Sequence, residues 1–289
     1  MKKGMLFNFS KKMSGIQHIP LLDELLPNSK QVPSAAVLSE FKKGQRLAYR
    51  CAETIAKELR PGWTEKQAAK LMDVFLKDHG IKSFFHKSFA WYGDRTRFAP
   101  MKHYWDFMPS NRELQETDVV ILDTAPIYDG HVVDIGYTTS LVENPKLEQA
   151  KRDLMEFRRI IPKMFEKAQT TATIWDEVDR MLKKMGYDNC HERYPLGALG
   201  HRVPIVKLHK LPGLTIPFSV HALYSLISRG LFNEVLGPYH EGDKIGLWAI
   251  EPHIGGDGFG AKFEEILVVN KDHVYWLDDN VPHNLDREE

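Results

Sequence analysis

Apolar and polar positions along the first half of the chain predict two helices followed by a β-hairpin. Apolar residues recur at helical spacing over 34–59, and a capping-box sequence that begins at Thr64 opens a second helix. That helix is expected to run to about residue 79 and to end at Gly80. The apolar runs 119–123 and 131–139 are typical of strands, and Asp129-Gly130 between them favours a two-residue hairpin turn.

The second half of the chain repeats this order of elements. Helices are predicted over 146–168 and 171–185, the latter ending at Gly186. Strands are predicted over 245–254 and 261–269, joined by the glycine-rich segment 255–260. The repetition lies in the pattern and not in residue identity. We therefore predict an α+β fold of two similar halves, with any functional site between them.

Two aspartates interrupt the apolar strands of the first hairpin. If Asp129-Gly130 forms the turn, Ala125 lies opposite Asp134. Side chains alternate along a strand, so Asp123 shares a face with Ala125 and lies one diagonal step from Asp134. Diagonal partners are roughly 7–8 Å apart, a distance that a shared ion can bridge.

Two glutamates hold similar positions in the second hairpin. If Ile254 pairs with Ala261, Glu251 lies directly opposite Glu264. Ionised carboxylates are costly in apolar surroundings, and like charges that face each other are destabilising. The two pairs therefore favour a bound cation; the alternative is that the acids lie at solvent-facing strand ends or pair with Lys and Arg. Carboxylate and imidazole ligands suit hard or borderline divalent ions such as Mn²⁺, Co²⁺, Fe²⁺ or Zn²⁺.

Composition narrows the classes of function. The length of 289 residues suits one large domain or two ordinary ones. Lys plus Arg and Asp plus Glu both number 39, so the formal net charge is zero. The chain therefore has no excess positive charge that would favour binding to nucleic acid or an anionic membrane. No apolar run reaches membrane-spanning length. Two cysteines, Cys51 and Cys190, are too few for a disulfide framework, which favours reduced thiols and a cytoplasmic location.

Five motifs occur in the order in which the M24 metallopeptidases carry them, over about residues 35–275. The Asp-containing strand 114–123 with the Tyr-Asp-Gly turn 128–130, and the second Asp-containing strand 133–139, resemble the start of the family pattern. The segments 200–201, 249–252 and 260–264 resemble its Gly-His, Ile-Glu-Pro and Gly-Val-Arg-Ile-Glu motifs. The family includes methionine aminopeptidases, Xaa-Pro aminopeptidases, Xaa-Pro dipeptidases (prolidases) and creatinase. The resemblance implies the pita-bread fold, with two pseudo-symmetric αβ halves around a central site.

The resemblance also implies a dinuclear metal site, with Mn²⁺ as the first expectation and Co²⁺, Fe²⁺ or Zn²⁺ as alternatives. Asp123 would bind mainly one ion, Asp134 and Glu264 would bridge both, and His201 and Glu251 would complete the second. The neighbouring acid Glu265 is the other candidate for the last ligand. Strand alternation points Glu265 away from Glu264, so Glu264 is preferred.

The function that the resemblance implies is metal-dependent hydrolysis of a peptide bond near a free N-terminus, of the Xaa-Pro aminopeptidase or dipeptidase type. A metal-activated water would attack the carbonyl, and Glu251 would transfer protons. His103 and His209 match family histidines that contact the substrate, and His86 is a further candidate for the pocket wall. The alternatives are a methionine aminopeptidase, a non-peptide amidohydrolase that takes a small amide, and a catalytically silent binding module of the same fold.

Departures from the family pattern concern the region around the substrate. The usual His-Gly-x-Gly-His run reads Gly197-Ala-Leu-Gly-His201, so its first histidine is absent. We expect an N-terminal extension over 1–33, a catalytic domain over 34–275 and a C-terminal tail over 276–289. An insertion around 213–238 is expected to contain an amphipathic helix that serves as a lid, as packing or as the contact of a homodimer.

Overall fold

The structure, a computed structural model, describes residues 31–167, 170–206, 234–239, 243–256 and 258–284. Most of the predicted N-terminal extension and of the predicted insertion around 213–238 lies outside the described residues, as does His209. Among the helices of the described part, none is long and apolar enough to cross a membrane.

The helices begin and end close to the predicted positions in both halves. The described part contains α1 (Ala35–Glu58), α2 (Glu65–Asp78), α3 (Pro145–Lys167) and α4 (Thr171–Met185). The predicted capping box is present: the Gln67 backbone N–H donates to the Thr64 hydroxyl at 3.2 Å, and the Thr64 N–H donates to the Gln67 side chain at 2.7 Å. These bonds satisfy N–H groups that the first turn of a helix leaves without partners.

The first sheet confirms the predicted hairpin and adds a strand before it. Its strands are β1 (Ser83–Tyr92), β2 (Val119–Tyr128), β3 (His131–Val132) and β4 (Ile135–Ser140), and β2 pairs with the other three. Asp129 and Gly130 both take positive φ, 43° and 88°, which matches the right-handed twist of the strands they join. Tyr128 pairs with His131 and Thr124 with Ile135, so the predicted register holds along the hairpin.

The second half contains two sheets. Its strands are β5 (Asp188–Asn189), β6 (Gly200–Arg202), β7 (Val235–Leu236), β8 (Gly246–Ile250), β9 (His253–Gly256), β10 (Phe259–Lys262), β11 (Glu265–Val269) and β12 (Val274–Trp276). One sheet has the order β12-β11-β8-β6-β7 and the other β10-β9-β5. Each of the two predicted strands is therefore divided. Pro252 has no N–H for a ladder, so the first strand breaks after Ile250, and the second breaks at Glu264.

The two halves share one arrangement of three antiparallel strands. In the first half β2 lies between β1 and β4, and in the second half β8 lies between β6 and β11. An isolated β-bridge between Gly136 and Glu264 joins the two arrangements. This is the mixed helix-and-sheet fold of two similar halves that the sequence predicts, and the bridge marks its centre.

Two buried clusters stabilise the halves. One joins α1 and α2 to the first sheet, with Phe41 and Met72 fully buried in it, and the other joins α3 and α4 to the second half around Phe157 and Trp248. Each such side chain contributes about 1.5–3 kcal/mol by burial. The predicted C-terminal tail begins within β12, and Val281 beyond it is buried in the first cluster.

A buried histidine outside the central site should make the free energy of unfolding depend on pH. His191 is fully buried beside Trp175, and burial lowers its pKa from 6.5 to about 3. Between these values the unfolded chain binds a proton that the folded chain does not. Stability is therefore lost as pH falls through this window, by roughly 1.4 kcal/mol per pH unit for this residue.

The slope can be measured by urea unfolding between about pH 7 and pH 4.5. We expect His191→Gln to show a shallower loss of unfolding free energy than wild type across this range. His273 is exposed, so His273→Gln is the matched control and should retain the wild-type slope. Equal slopes for wild type and His191→Gln would rule out this histidine as a source of the acid sensitivity.

Candidate metal centre

The four acids singled out in the sequence converge at the junction of the two halves. Asp123 lies on β2, Asp134 directly precedes β4, Glu251 directly follows β8, and Glu264 directly precedes β11. Each is at most 7% exposed. Three of them lie just outside a strand end, where the backbone is no longer held in the regular ladder. Their side chains can therefore turn toward one point.

The structure adds a cation that sequence reasoning did not assign to the site. The Nζ atom of Lys262 lies 2.6 Å from Asp123 Oδ2, 2.8 Å from Glu251 Oε2 and 2.9 Å from Glu264 Oε2. Lys262 is fully buried, which opposes its charge, yet the three carboxylates hold its pKa well above the usual value. The sequence contained a signal for this contact, because Lys262 and Glu264 are two residues apart and share a face of the chain.

His86 reaches the acids from β1. Its Nε2 lies 3.1 Å from Asp134 Oδ2 and 3.6 Å from Asp123 Oδ1. Its Nδ1 lies 2.9 Å from the backbone carbonyl of Lys87. A carbonyl oxygen can only accept a hydrogen bond, so Nδ1 carries a proton and Nε2 is the atom presented to the carboxylates.

His201 reaches the same carboxylate from β6. Its Nε2 lies 3.2 Å from Asp134 Oδ2 and 3.7 Å from Glu264 Oε1. Its Nδ1 lies 3.0 Å from the backbone carbonyl of Arg202. Both imidazoles are thus oriented by a main-chain carbonyl, which is how proteins commonly fix the tautomer of a metal-binding histidine.

The ionisable groups of the site shift one another's pKa values strongly. Burial raises the pKa of Glu264 well above its usual value, and the charge of Asp134 adds to this effect. Although burial opposes ionisation of Asp134, the two histidines lower its pKa. Burial opposes the charge of His86, but Asp134 and Asp123 raise its pKa to about 9. The four acids therefore cannot all be ionised unless further positive charge enters this cluster of acids and histidines.

The donor atoms fit divalent ions. His86, Asp123 and Asp134 form one group, and Asp134, His201 and Glu264 form another; within each group one atom per residue lies within 4.8 Å of the others. Asp134 belongs to both groups, and its buried Oδ1 has no hydrogen-bond partner. Lys262 contacts only one oxygen each of Asp123 and Glu264, and their other oxygens face the histidines. Carboxylate and imidazole are the ligands that Mn²⁺, Co²⁺, Fe²⁺ and Zn²⁺ accept.

A largely apolar cavity of about 300 Å³ opens onto the cluster. Part of its wall is aromatic, formed by Phe85, Phe89, Trp91, Phe107 and Tyr194. Such a wall excludes water and can hold an apolar group of a ligand beside the acids.

Other predicted residues lie elsewhere. His103 is exposed at the start of a short 3₁₀ helix, Tyr104–Phe107, and is not among the residues that line the cavity; the described histidines that do line it are His86 and His201. Glu265 points away from the cluster, as strand alternation predicts, and pairs with Arg158 at 2.6 Å.

Comparison with known proteins gives a family match over most of the chain. The sequence model of metallopeptidase family M24 matches residues 39–271. A methionine aminopeptidase of Archaeoglobus fulgidus is 27% identical over 101 residues, which are 35% of this chain and 33% of that protein. The chain matches about a third of the length of such curated relatives.

Solved structures show a likeness over nearly the whole chain. The X-Pro aminopeptidase from Thermotoga maritima is 16% identical with a TM-score of 0.63, and the match covers 86% of this chain and 62% of that one. The prolidase from Pyrococcus furiosus is 18% identical with a TM-score of 0.62, covering 96% of this chain and 73% of that one. At these identities the likeness establishes the fold, which is the pita-bread fold that the sequence motifs imply.

Proposed function

Because the chain belongs to metallopeptidase family M24, we propose that it is a dinuclear metal-dependent hydrolase that cleaves a peptide bond near a free N-terminus. The proposed type is an Xaa-Pro aminopeptidase or dipeptidase. The observation that carries the proposal is the pair of possible ligand groups that share Asp134 and open onto an aromatic cavity.

The proposed ligands are the five residues of the family pattern: Asp123, Asp134, His201, Glu251 and Glu264. The four carboxylates and the Lys262 ammonium together carry a net charge of −3, which one divalent ion compensates only in part, and this supports two ions over one. Mn²⁺ is the first candidate, and Co²⁺, Fe²⁺ and Zn²⁺ are the alternatives. When bound, such ions would supply Lewis-acid chemistry, which makes a water molecule more acidic and polarises a carbonyl.

Glu251 is the proposed proton carrier. Burial raises its pKa above the ordinary value, which brings the carboxyl closer to the range in which it can both accept and return a proton. Lys262 contacts Glu251 through Oε2, so Oε1 is the oxygen that would face both the ion and the attacking water. This carboxyl would take a proton from the attacking water and deliver it to the leaving amine.

The aromatic wall is the proposed binding surface for the substrate. Phe89 and Trp91 stack with their ring centroids 5.1 Å apart, and both line the cavity. An apolar ring such as that of proline would bury its surface there while the free amine of the peptide reaches the acids. The wall thus supports an Xaa-Pro preference over a polar substrate.

The test is metal stripping followed by reconstitution and a substrate panel. Removal of metal with a chelator should abolish hydrolysis, and Mn²⁺ should restore it with about two ions per chain. The panel would contain Xaa-Pro peptides, Met-Xaa peptides, dipeptides without proline and small non-peptide amides. We expect the Xaa-Pro peptides to be cleaved fastest.

Other outcomes of the same panel would identify the alternatives. Faster cleavage of Met-Xaa peptides would indicate a methionine aminopeptidase, and cleavage of the small amides alone would indicate an amidohydrolase. Bound metal without hydrolysis of any substrate would indicate a binding module.

We also propose a catalytic domain over 34–275, a cytoplasmic location and a homodimer. The family match over 39–271 supports the first of these.

A further inference from the structure

We propose that His86 is a sixth metal ligand, the counterpart in the first half of the chain of His201 in the second. The inference rests on the proposed function, because it assumes that divalent ions occupy the cluster. It goes beyond the five-ligand pattern of the sequence motifs, which contains one histidine. Each of the two ions would then bind one imidazole.

The strand arrangement places the two histidines in equivalent positions. His86 lies on β1 and pairs with Ala125 of the central strand β2, two residues from Asp123. His201 lies on β6 and pairs with Ala249 of the central strand β8, two residues from Glu251. In each half, an outer strand thus brings a histidine beside the acid of the central strand.

The third strand of each arrangement completes the correspondence. Asp134 directly precedes β4 and Glu264 directly precedes β11, so each half supplies one histidine and two carboxylates. The first half yields His86, Asp123 and Asp134, and this set is itself one of the two groups whose donor atoms lie within 4.8 Å of one another. The other group combines His201 and Glu264 with Asp134 of the first half, so the pseudo-symmetry holds for the strand positions of the six residues.

The two rings also have the same local geometry. In each, Nδ1 contacts the carbonyl of the next residue, at 2.9 Å for His86 and 3.0 Å for His201. In each, Nε2 faces Oδ2 of Asp134, at 3.1 Å and 3.2 Å. A ring that only lines a substrate pocket has no need of this orientation, whereas a ligand needs Nδ1 held by an acceptor and Nε2 left for the ion.

A second observation points to a ligand at this position. Oδ1 of Asp134 is buried without a hydrogen-bond partner, and Asp134 is 1% exposed. A buried carboxylate oxygen without a partner is costly, and an ion between Asp134, Asp123 and His86 would supply one. Two imidazoles in place of one would also increase the preference of the site for Co²⁺, Fe²⁺ or Zn²⁺ relative to Mn²⁺.

The experiment compares Co²⁺-loaded wild type, His86→Ala and His201→Ala by metal titration and proton NMR. An imidazole that binds high-spin Co²⁺ through Nε2 gives a strongly shifted, exchangeable Nδ1–H signal. We expect two such signals in wild type, loss of one in His86→Ala and loss of the other in His201→Ala. One of the two ions should bind at least about 100-fold more weakly to His86→Ala than to wild type.

Controls separate loss of a ligand from loss of the fold. His273→Ala removes an exposed histidine and should retain both signals and both affinities. His86→Gln keeps a polar side chain at the position, and the circular dichroism melting curve of each metal-free variant reports whether it folds. Only variants that fold like wild type are compared.

The outcomes distinguish this inference from the proposed function. Two bound ions in wild type, with unchanged affinities and both signals in folded His86→Ala, would overturn the sixth ligand and leave the proposed function intact. Wild type that binds no divalent ion would overturn both. Loss of one signal and of one high-affinity site in His86→Ala would support the sixth ligand.

Discussion

Asp134→Asn is expected to lower the rate of hydrolysis by at least about 10³-fold, the factor that corresponds to losing several kcal/mol of transition-state stabilisation. Asp134 belongs to both groups of possible ligand atoms, so its replacement affects both ions at once. The amide of Asn has nearly the same shape but carries no charge. Both metal content and activity should therefore fall sharply while the fold is retained.

The measurement is kcat/KM on the best peptide of the panel, together with metal content after reconstitution. Glu265→Gln is the matched control, because Glu265 is also a buried acid but faces Arg158 instead of the cluster. We expect that control to lose stability and to retain metal content and kcat/KM. If Asp134→Asn binds and hydrolyses like wild type, the proposed metal centre is wrong.

The fold was predictable where local chemistry determines it. The Asp129-Gly130 turn sets the register of the first hairpin, and that register holds through Pro126, whose carbonyl accepts from Val133 N–H at 3.1 Å. Capping residues and glycines determine the ends of the helices. The breaks in the second pair of strands differ from the continuous strands that the apolar pattern predicts, although Pro252 is a residue that interrupts a ladder.

The candidate site was predictable in its acids and less so in its cations. Asp123 and Asp134 follow from alternation along one hairpin, which is a local property. The orientation of His86 depends on a pairing between β1 and β2 that contains register shifts on both sides of it, between Phe84 and His86 and between His86 and Phe89. Alternation cannot be followed through such irregularities, so the sequence indicates His86 only as a candidate for the pocket wall, beside the motif match at His103.

Lys262→Met is expected to lower the free energy of unfolding of the metal-free protein by about 3–5 kcal/mol near pH 8. The change removes the ammonium from three buried carboxylates and keeps a side chain of similar length. The carboxylates would then lose the positive charge that each contacts within 2.9 Å. Urea unfolding of chelator-treated protein, from about pH 8 to pH 5, would measure the effect.

The sign of the pH dependence follows from the acids. Without Lys262 their pKa values rise, so the folded variant binds protons that the unfolded chain releases, and the loss of stability shrinks as pH falls. Lys43→Met is the control: Lys43 pairs with Glu40 on an exposed face, where solvent screens the pair, so its loss should leave the free energy of unfolding close to that of wild type. A loss for Lys262→Met no larger than that of the control would mean that the ammonium does not stabilise the acids.

Added Mn²⁺ gives the same experiment a second, independent result. An ion that binds the folded chain and not the unfolded one stabilises the fold in proportion to its affinity. In Lys262→Met the acids lack the ammonium, so a bound divalent ion relieves more repulsion between the carboxylates in the variant than in wild type. Saturating Mn²⁺ should therefore stabilise the variant more than wild type and narrow the difference between them. A difference that stays constant with and without Mn²⁺ would show that the ammonium and the ions act on separate groups, contrary to the shared contacts of Asp123 and Glu264.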